Sequence, residues 1–154
     1  MARSFDGPIT ELVPHRPPML LIDRLLADDA ELIRVEAVIK PDQLFLTEQG
    51  MPAWVGVELM AQTMAAWAGL RSVQSGKPVK LGFLLGTRRY DCTRSFFPVG
   101  ARIEIEARQE LVAENGLGVF ICKMFLEGEL LASAQLNAFQ PPNVDDYLRG
   151  NLNG

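Results

Sequence analysis

The feature that most constrains this fold is the stretch 51–70, MPAWVGVELMAQTMAAWAGL, which is apolar on nearly every side of a helix. A helix without a charged face belongs inside a protein, so a sheet or a partner subunit must enclose it. Pro52 favours its first turn, and Gly69 is predicted to end it. Because the stretch is interrupted by polar residues and is short for a membrane span, we interpret it as a core helix.

One acid, Glu58, lies among the apolar side chains of this predicted helix. Apolar surroundings remove water from a carboxyl group, which then needs a donor or a cation nearby. Gln62 follows one turn later on the same face and can supply that hydrogen bond. The pattern predicts a general acid. The alternative is a structural Glu near a helix N-terminus, where acids are favoured anyway.

Length, charge and cysteine content narrow the class of protein. The chain has 154 residues and a net charge of −4, which predicts one domain, 1–154, without the basic excess that a nucleic-acid partner requires. Residues 1–11 and 141–154 predict a loosely ordered lead-in and tail. Cys92 and Cys122 lie far apart in no motif, so we expect two buried thiols and not a disulfide or a metal site. No cofactor is expected. The N-terminus lacks an apolar core of signal-peptide length, and we expect a cytoplasmic protein.

The remaining segments predict strands around the helix. The apolar run 20–26 and the alternating segment 31–40 predict two strands before it. Four more are predicted after it, joined by short turns, at 80–91, 101–111, 117–126 and 130–139. One long apolar helix wrapped by a curved antiparallel sheet of about six strands is the hotdog arrangement of the α+β class. Six strands leave open edges, which predicts a dimer.

Two motifs resemble those of FabZ-type 3-hydroxyacyl-[acyl-carrier-protein] dehydratases. Residues 12–24, LVPHRPPMLLIDR, are similar to the amino-terminal signature of that family. Residues 51–62, MPAWVGVELMAQ, are similar to its Met-Pro-Gly…Glu-Ala-Met-Ala-Gln helix start. Residues 54–62 together with 82–86, GFLLG, look most like the ApeP-like branch, which is associated with aryl-polyene clusters. The resemblance implies a dehydratase acting on thioesters of acyl carrier protein or coenzyme A, in fatty-acid, aryl-polyene or polyketide-type synthesis.

The chain departs from the resemblance at one position. FabZ-type enzymes keep their catalytic histidine in a Gly-His-Phe-Pro segment, and the corresponding residue here is Leu44. The chain has one histidine, His15, in the proline-dense segment 13–19. Either His15 has taken over the role or the protein is not a conventional dehydratase.

Dehydration of a 3-hydroxyacyl thioester needs a base, an acid and donors for the thioester oxygen. We predict His15 as the base and Glu58, from the partner subunit, as the acid, with Gln62 orienting Glu58. His15 read by itself is more typical of a half-exposed structural residue. The donors are predicted to be backbone N–H groups at the helix start, at Ala53, Trp54 and Gly56, and Gly56 is expected to let a ligand approach closely.

Two further groups of residues are candidates for substrate and partner binding. Phe45, Met60 and Phe83 could line an acyl tunnel, although such residues also build ordinary cores. A basic cluster, Arg88, Arg89 and Arg94, could bind an acidic carrier protein or be a solvated face.

Three functions follow from the sequence. The dehydratase is preferred, as a homodimer or a hotdog heterodimer. The second is a non-catalytic subunit that completes a heterodimer with a catalytic hotdog partner. The third is a thioesterase, in which the acid activates water and no histidine is needed.

Overall fold

The computed structural model describes residues 3–76 and 83–139, without the side chains of Phe83 and Leu85. Its elements are one α-helix, α1, eight strands and a short 3-10 turn at Ile9–Glu11. In chain order they are β1 Arg24–Asp28, β2 Leu32–Val38, β3 Met51–Pro52, α1 Val55–Gln74, β4 Phe83–Cys92, β5 Phe96–Phe97, β6 Arg102–Val112, β7 Leu117–Leu126 and β8 Glu129–Phe139.

Six of the strands form one sheet in the order β1-β2-β6-β7-β8-β4, and every neighbouring pair is antiparallel. Helix α1 lies on one face and packs chiefly on β2 and β6. Alternation in these two strands points apolar side chains at the helix, among them Ile33, Val35, Ile103 and Ile105, all 0% exposed. The predicted hotdog arrangement is confirmed, and the dimer stays a prediction.

The central helix is displaced by four residues at each end from the predicted 51–70. Met51 and Pro52 pair with Phe97 and Phe96 in a separate two-stranded sheet, so they cannot begin the helix. Gly69 does not end the helix. The backbone of Leu12 crosses α1 at Gly69 so closely that a side chain there would overlap the Leu12 carbonyl. A glycine inside a helix therefore marks a close crossing of two chain segments here.

The predicted first strand, 20–26, is the other element that differs. Leu21 and Ile22 are buried, but their N–H groups bond to a helix side chain instead of a neighbouring strand, and β1 begins at Arg24. Strand β2 ends at Val38, two residues before its predicted end, and β6, β7 and β8 lie within one residue of the predictions. The predicted start of β4, at residue 80, lies outside the described residues. The Glu127–Gly128 turn has positive φ at both residues, 52° and 80°, as a tight antiparallel hairpin requires.

The described part of the lead-in packs on the domain. Ile9 is 7% exposed, and Ser4 bonds to Asp28 at the end of β1 through both its N–H and its hydroxyl group. The predicted tail, 141–154, lies outside the described residues.

Candidate active site

A cavity of about 500 Å³ opens between α1 and the half of the sheet that the helix does not cover. Its helical wall carries small side chains, and β7 and β8 close the opposite side. The apolar lining includes Ala61, Met64, Ala65, Ala68, Phe120 and Ala138. Two polar side chains of the predicted site, His15 and Glu58, also line it. The cavity therefore offers an apolar space beside the chain's one imidazole and a carboxylate.

The segment 12–22 forms one edge of this cavity because it is anchored at two places. At the first, Leu12 lies against Gly69, as described above. At the second, the side chain of Gln62 holds the backbone: its Oε1 accepts from the N–H of Leu21 at 2.9 Å, and its Nε2 donates to the carbonyl of Met19 at 2.8 Å. A chain segment fixed at both ends keeps the residue between them, His15, in place.

His15 is half-buried, and its Nδ1 is buried with no hydrogen-bond partner among the described residues. The backbone around it is braced by Arg16, whose guanidinium donates to the carbonyl oxygens of Val13 and His15 at 2.8 and 2.7 Å. Buried polar atoms are normally paired, so an unpaired ring nitrogen at a cavity is typical of a binding or catalytic site.

Glu58 lies in the first turns of α1 and is half-buried. Its Oε1 accepts a hydrogen bond of 2.8 Å from Gln62 Nε2, which is the contact that the spacing of four residues predicts. Gln62 is 0% exposed and uses both ends of its amide, so one side chain ties Glu58 to the segment that carries His15. Within the single chain both predicted catalytic residues line one cavity, and the contribution of Glu58 by a partner subunit stays a prediction.

The helix start holds the predicted N–H donors, and two of the three are engaged. The N–H of Ala53 donates to the carbonyl of Ser95 at 2.9 Å, and that of Gly56 donates to the carbonyl of Ala53 at 3.0 Å. The N–H of Trp54 has no acceptor among the described residues. The oxyanion role of Ala53 and Gly56 stays a prediction that requires these bonds to exchange.

Gly56 was predicted to let a ligand approach the helix start closely, but a side chain of this chain lies beside it. A Cβ there would overlap the hydroxyl of Tyr90, so this chain's own tyrosine occupies the space predicted for a ligand. Tyr90 Oη donates to the carbonyl of Ala53 at 2.5 Å, and burial raises the pKa of the phenol. Sequence reasoning missed Tyr90, and its signal is the glycine at the helix start.

Two of the predicted tunnel residues, Met60 and Phe45, do not line this cavity. Met60 is 0% exposed and belongs to the core. Phe45 is 39% exposed, has a φ of 71° and packs edge-on against Trp54 with ring centroids 5.3 Å apart. The side chain of Phe83 lies outside the described part of the structure. Leu44, which the sequence resemblance predicts at the position of the family histidine, is 38% exposed and is also absent from the lining.

The predicted docking residues, Arg88, Arg89 and Arg94, are exposed and make no ion pair with any described residue. Arg89 has a φ of 54° and lies where the pairing of β4 with β8 shifts register. Their role in docking stays a prediction.

In residues 3–76 and 83–139, no group of three or more His, Cys, Asp or Glu residues is placed to hold a metal ion. Within the same ranges, no helix is long and apolar enough to cross a membrane.

Comparison with known proteins places this site in a family context. The family model for ApeP-like proteins, described as ApeP dehydratase, matches residues 7–149. FabZ 3-hydroxyacyl-[acyl-carrier-protein] dehydratase from Syntrophotalea carbinolica is 30% identical over 148 residues, covering 90% of this chain and 95% of the relative. The FabZ of Thermus thermophilus is 33% identical over 132 residues, covering 83% of this chain and 91% of its own.

Two solved structures are similar to this chain. The dehydratase heterocomplex ApeI:P from Xenorhabdus doucetiae contains a chain that superposes with a TM-score of 0.86 at 25% identity, covering 94% of this chain and 97% of that chain. Thioesterase HI1161 from Haemophilus influenzae superposes with a TM-score of 0.56 at 14% identity, covering 77% of each chain, which is a likeness of fold alone.

Proposed function

The chain belongs to the ApeP-like dehydratase family, and we propose that it is a hydro-lyase that removes water from a 3-hydroxyacyl thioester. The proposed substrate is carried by acyl carrier protein or coenzyme A, in fatty-acid, aryl-polyene or polyketide-type synthesis. The observation that carries the proposal is the apolar cavity of about 500 Å³ that His15 and Glu58 line together.

In the proposed reaction the imidazole of His15, which lines the cavity, takes the proton from C2 of the substrate. The C2–H electron pair forms the C2–C3 double bond as the C3–O bond breaks. Glu58, held by Gln62, gives its proton to the departing hydroxyl, which leaves as water. Net transfer of the proton from His15 back to Glu58 restores the starting state. No cofactor is required.

The N–H of Trp54 is proposed to hold the thioester oxygen. It lies at the positive end of the α1 dipole and one turn before Glu58, although Trp54 is not itself among the residues that line the cavity. A donor at this place stabilises the negative charge that develops on the thioester oxygen as the C2 proton leaves. Each such donor is worth about a hundredfold or more in kcat where it has been removed from other enzymes.

Product analysis tests the reaction. The purified protein is incubated with a 3-hydroxybutyryl carrier protein, and the acyl group is followed by mass spectrometry. We expect loss of one water and an enoyl product. Release of the free carrier thiol without an enoyl product would contradict dehydration and favour the hotdog thioesterase.

The second candidate is an auxiliary subunit of a heterodimeric dehydratase. Two points favour it: the sequence resemblance predicts Leu44 at the family's histidine position, and the structural relative from Xenorhabdus doucetiae is a heterocomplex. The open edge strands of the described sheet, β1 and β4, are available for pairing. If this candidate is correct, the homodimer is inert on the 3-hydroxybutyryl substrate and becomes active when a catalytic hotdog partner is added.

We also propose that Arg88, Arg89 and Arg94 bind an acidic carrier protein. Reversing two charges with Arg88→Glu and Arg89→Glu should weaken association about tenfold at low salt, and less at high salt. Arg108→Glu with Lys123→Glu, two exposed cations on the outer face of the sheet, is the charge-matched control. Equal effects from both double variants would contradict a specific docking site.

A further inference from the structure

Tyr90 reaches the start of α1 from a strand that is distant in the sequence. Between Arg88 and Asp91 strand β4 gains one residue relative to β8, which is a bulge, and Arg89 at this bulge has a φ of 54°. A bulge re-aims the side chains of its strand. Here the Tyr90 ring lies beside Gly56, and its hydroxyl donates to the carbonyl of Ala53.

The carbonyl of Ala53 therefore has two donors, the hydroxyl of Tyr90 at 2.5 Å and the N–H of Gly56 at 3.0 Å. That carbonyl shares one planar peptide unit with the N–H of Trp54, and in a trans peptide the two point in opposite directions. Fixing the oxygen thus fixes the direction of the Trp54 N–H.

The two hydrogen bonds also change the strength of the Trp54 N–H as a donor. Donors at a carbonyl oxygen polarise the peptide unit, and hydrogen bonds arranged in a chain strengthen one another. The Trp54 N–H is the predicted oxyanion donor that has no acceptor among the described residues. The polarised N–H of Trp54 can therefore donate a stronger hydrogen bond to a bound ligand.

Resting on the proposed function, we propose that Tyr90 is a positioning residue that orients and polarises the Trp54 N–H toward the thioester oxygen of the substrate. Gly56 is the matching half of this arrangement, since any side chain there would displace the Tyr90 hydroxyl. Tyr90 contacts the peptide unit and not the substrate, so its effect passes through Trp54.

The test compares Tyr90→Phe with Thr93→Val in the full-length protein. Thr93 is a matched control because its hydroxyl also donates to a backbone carbonyl, that of Leu131 at 3.3 Å, away from the helix start. For Tyr90→Phe we expect kcat to fall about three- to tenfold with KM nearly unchanged, since one hydrogen bond to the donor unit is lost. Thr93→Val should retain the wild-type kcat.

Two spectroscopic readouts separate positioning from a merely structural effect. The amide proton of Trp54 in the ligand-free protein should move upfield in Tyr90→Phe and stay in place in Thr93→Val. The carbonyl stretch of bound butyryl-pantetheine, isotope-labelled at its carbonyl carbon, should lie below its solution frequency in the wild type and return toward that frequency in Tyr90→Phe.

The outcomes distinguish this proposal from the proposed function. An unchanged Trp54 amide proton in Tyr90→Phe overturns the positioning role, whatever the activity. So does a carbonyl stretch that is equally lowered in wild type and Tyr90→Phe. If both signals change as expected while the wild type forms no enoyl product, alone or with a catalytic hotdog partner, the positioning role stands and dehydration is refuted.

Discussion

Replacing Gln62 by Met tests whether one buried amide joins the helix to the segment that carries His15. Methionine keeps the length of the side chain and removes its hydrogen bonds. Leu21 and Ile22 are 2% and 1% exposed, so their N–H groups would lose Gln62 Oε1 without reaching water. Met19 is 43% exposed, and we expect its carbonyl to be hydrated instead.

The expected loss in the free energy of unfolding follows from the burial of the Leu21 and Ile22 N–H groups. A buried donor without a partner costs about 1–3 kcal/mol. The Leu21 bond of 2.9 Å counts in full and the Ile22 bond of 3.4 Å in part, which gives about 3 kcal/mol. For a chain of this size that corresponds to a fall in Tm of about 6–12 °C.

The matched control is Gln74→Met on the same helix, where the exposed Gln74 bonds only to Ser4. We expect the control to change the free energy of unfolding by less than about 0.5 kcal/mol. The assay is urea denaturation of both variants, with thermal unfolding as a second measure. If Gln62→Met costs no more than Gln74→Met, the reasoning about a satisfied buried amide is refuted.

Two other expectations concern glycine and cysteine. Gly69→Ala should lower the free energy of unfolding by more than about 2 kcal/mol in urea denaturation, because its methyl group would overlap the backbone of Leu12. The control, Gly86→Ala, has open space around the new methyl group and should be nearly neutral. Equal effects of the two variants would contradict the close crossing. Burial raises the pKa of Cys122 from 9.0 to about 12, so above pH 9 the folded protein keeps a thiol proton that the unfolded chain loses. The free energy of unfolding should therefore fall above pH 9 by up to about 1.4 kcal/mol per pH unit. In Cys122→Ala this fall should be smaller. At pH 8 a thiol reagent should modify the half-buried Cys92 and spare Cys122, and equal modification of both in the native protein would contradict this burial.

The fold was largely predictable because its signals are local. The alternation of apolar and polar residues in 31–40 and 101–111 indicates which face of each strand meets the helix. The stretch 51–70, which is apolar on nearly every side, indicates an enclosed helix. Turns such as Glu127–Gly128 are fixed by the conformations their own residues allow. The helix bounds were wrong because pairing with β5 overrides the local preference of Met51 and Pro52.

The site was predictable only where its contacts are close in sequence. Glu58 and Gln62 are four residues apart, and their hydrogen bond follows from helix geometry. Tyr90 lies 37 residues from Ala53, and Gln62 lies 41 from Leu21, so neither contact leaves a periodic signal. The cavity wall depends on small side chains, which a search for large apolar residues such as Met60 and Phe45 overlooks.

The most direct test of the account is dehydration by His15→Asn and Glu58→Gln. Both variants are compared with Glu48→Gln, an exposed acid in the loop before the helix, on a 3-hydroxybutyryl carrier protein, alone and with any hotdog partner. Since the account makes His15 the base and Glu58 the acid, we predict that each loses at least about a hundredfold in kcat while the control keeps its activity. Undiminished formation of the enoyl product by either variant would contradict that residue's role and with it the central claim.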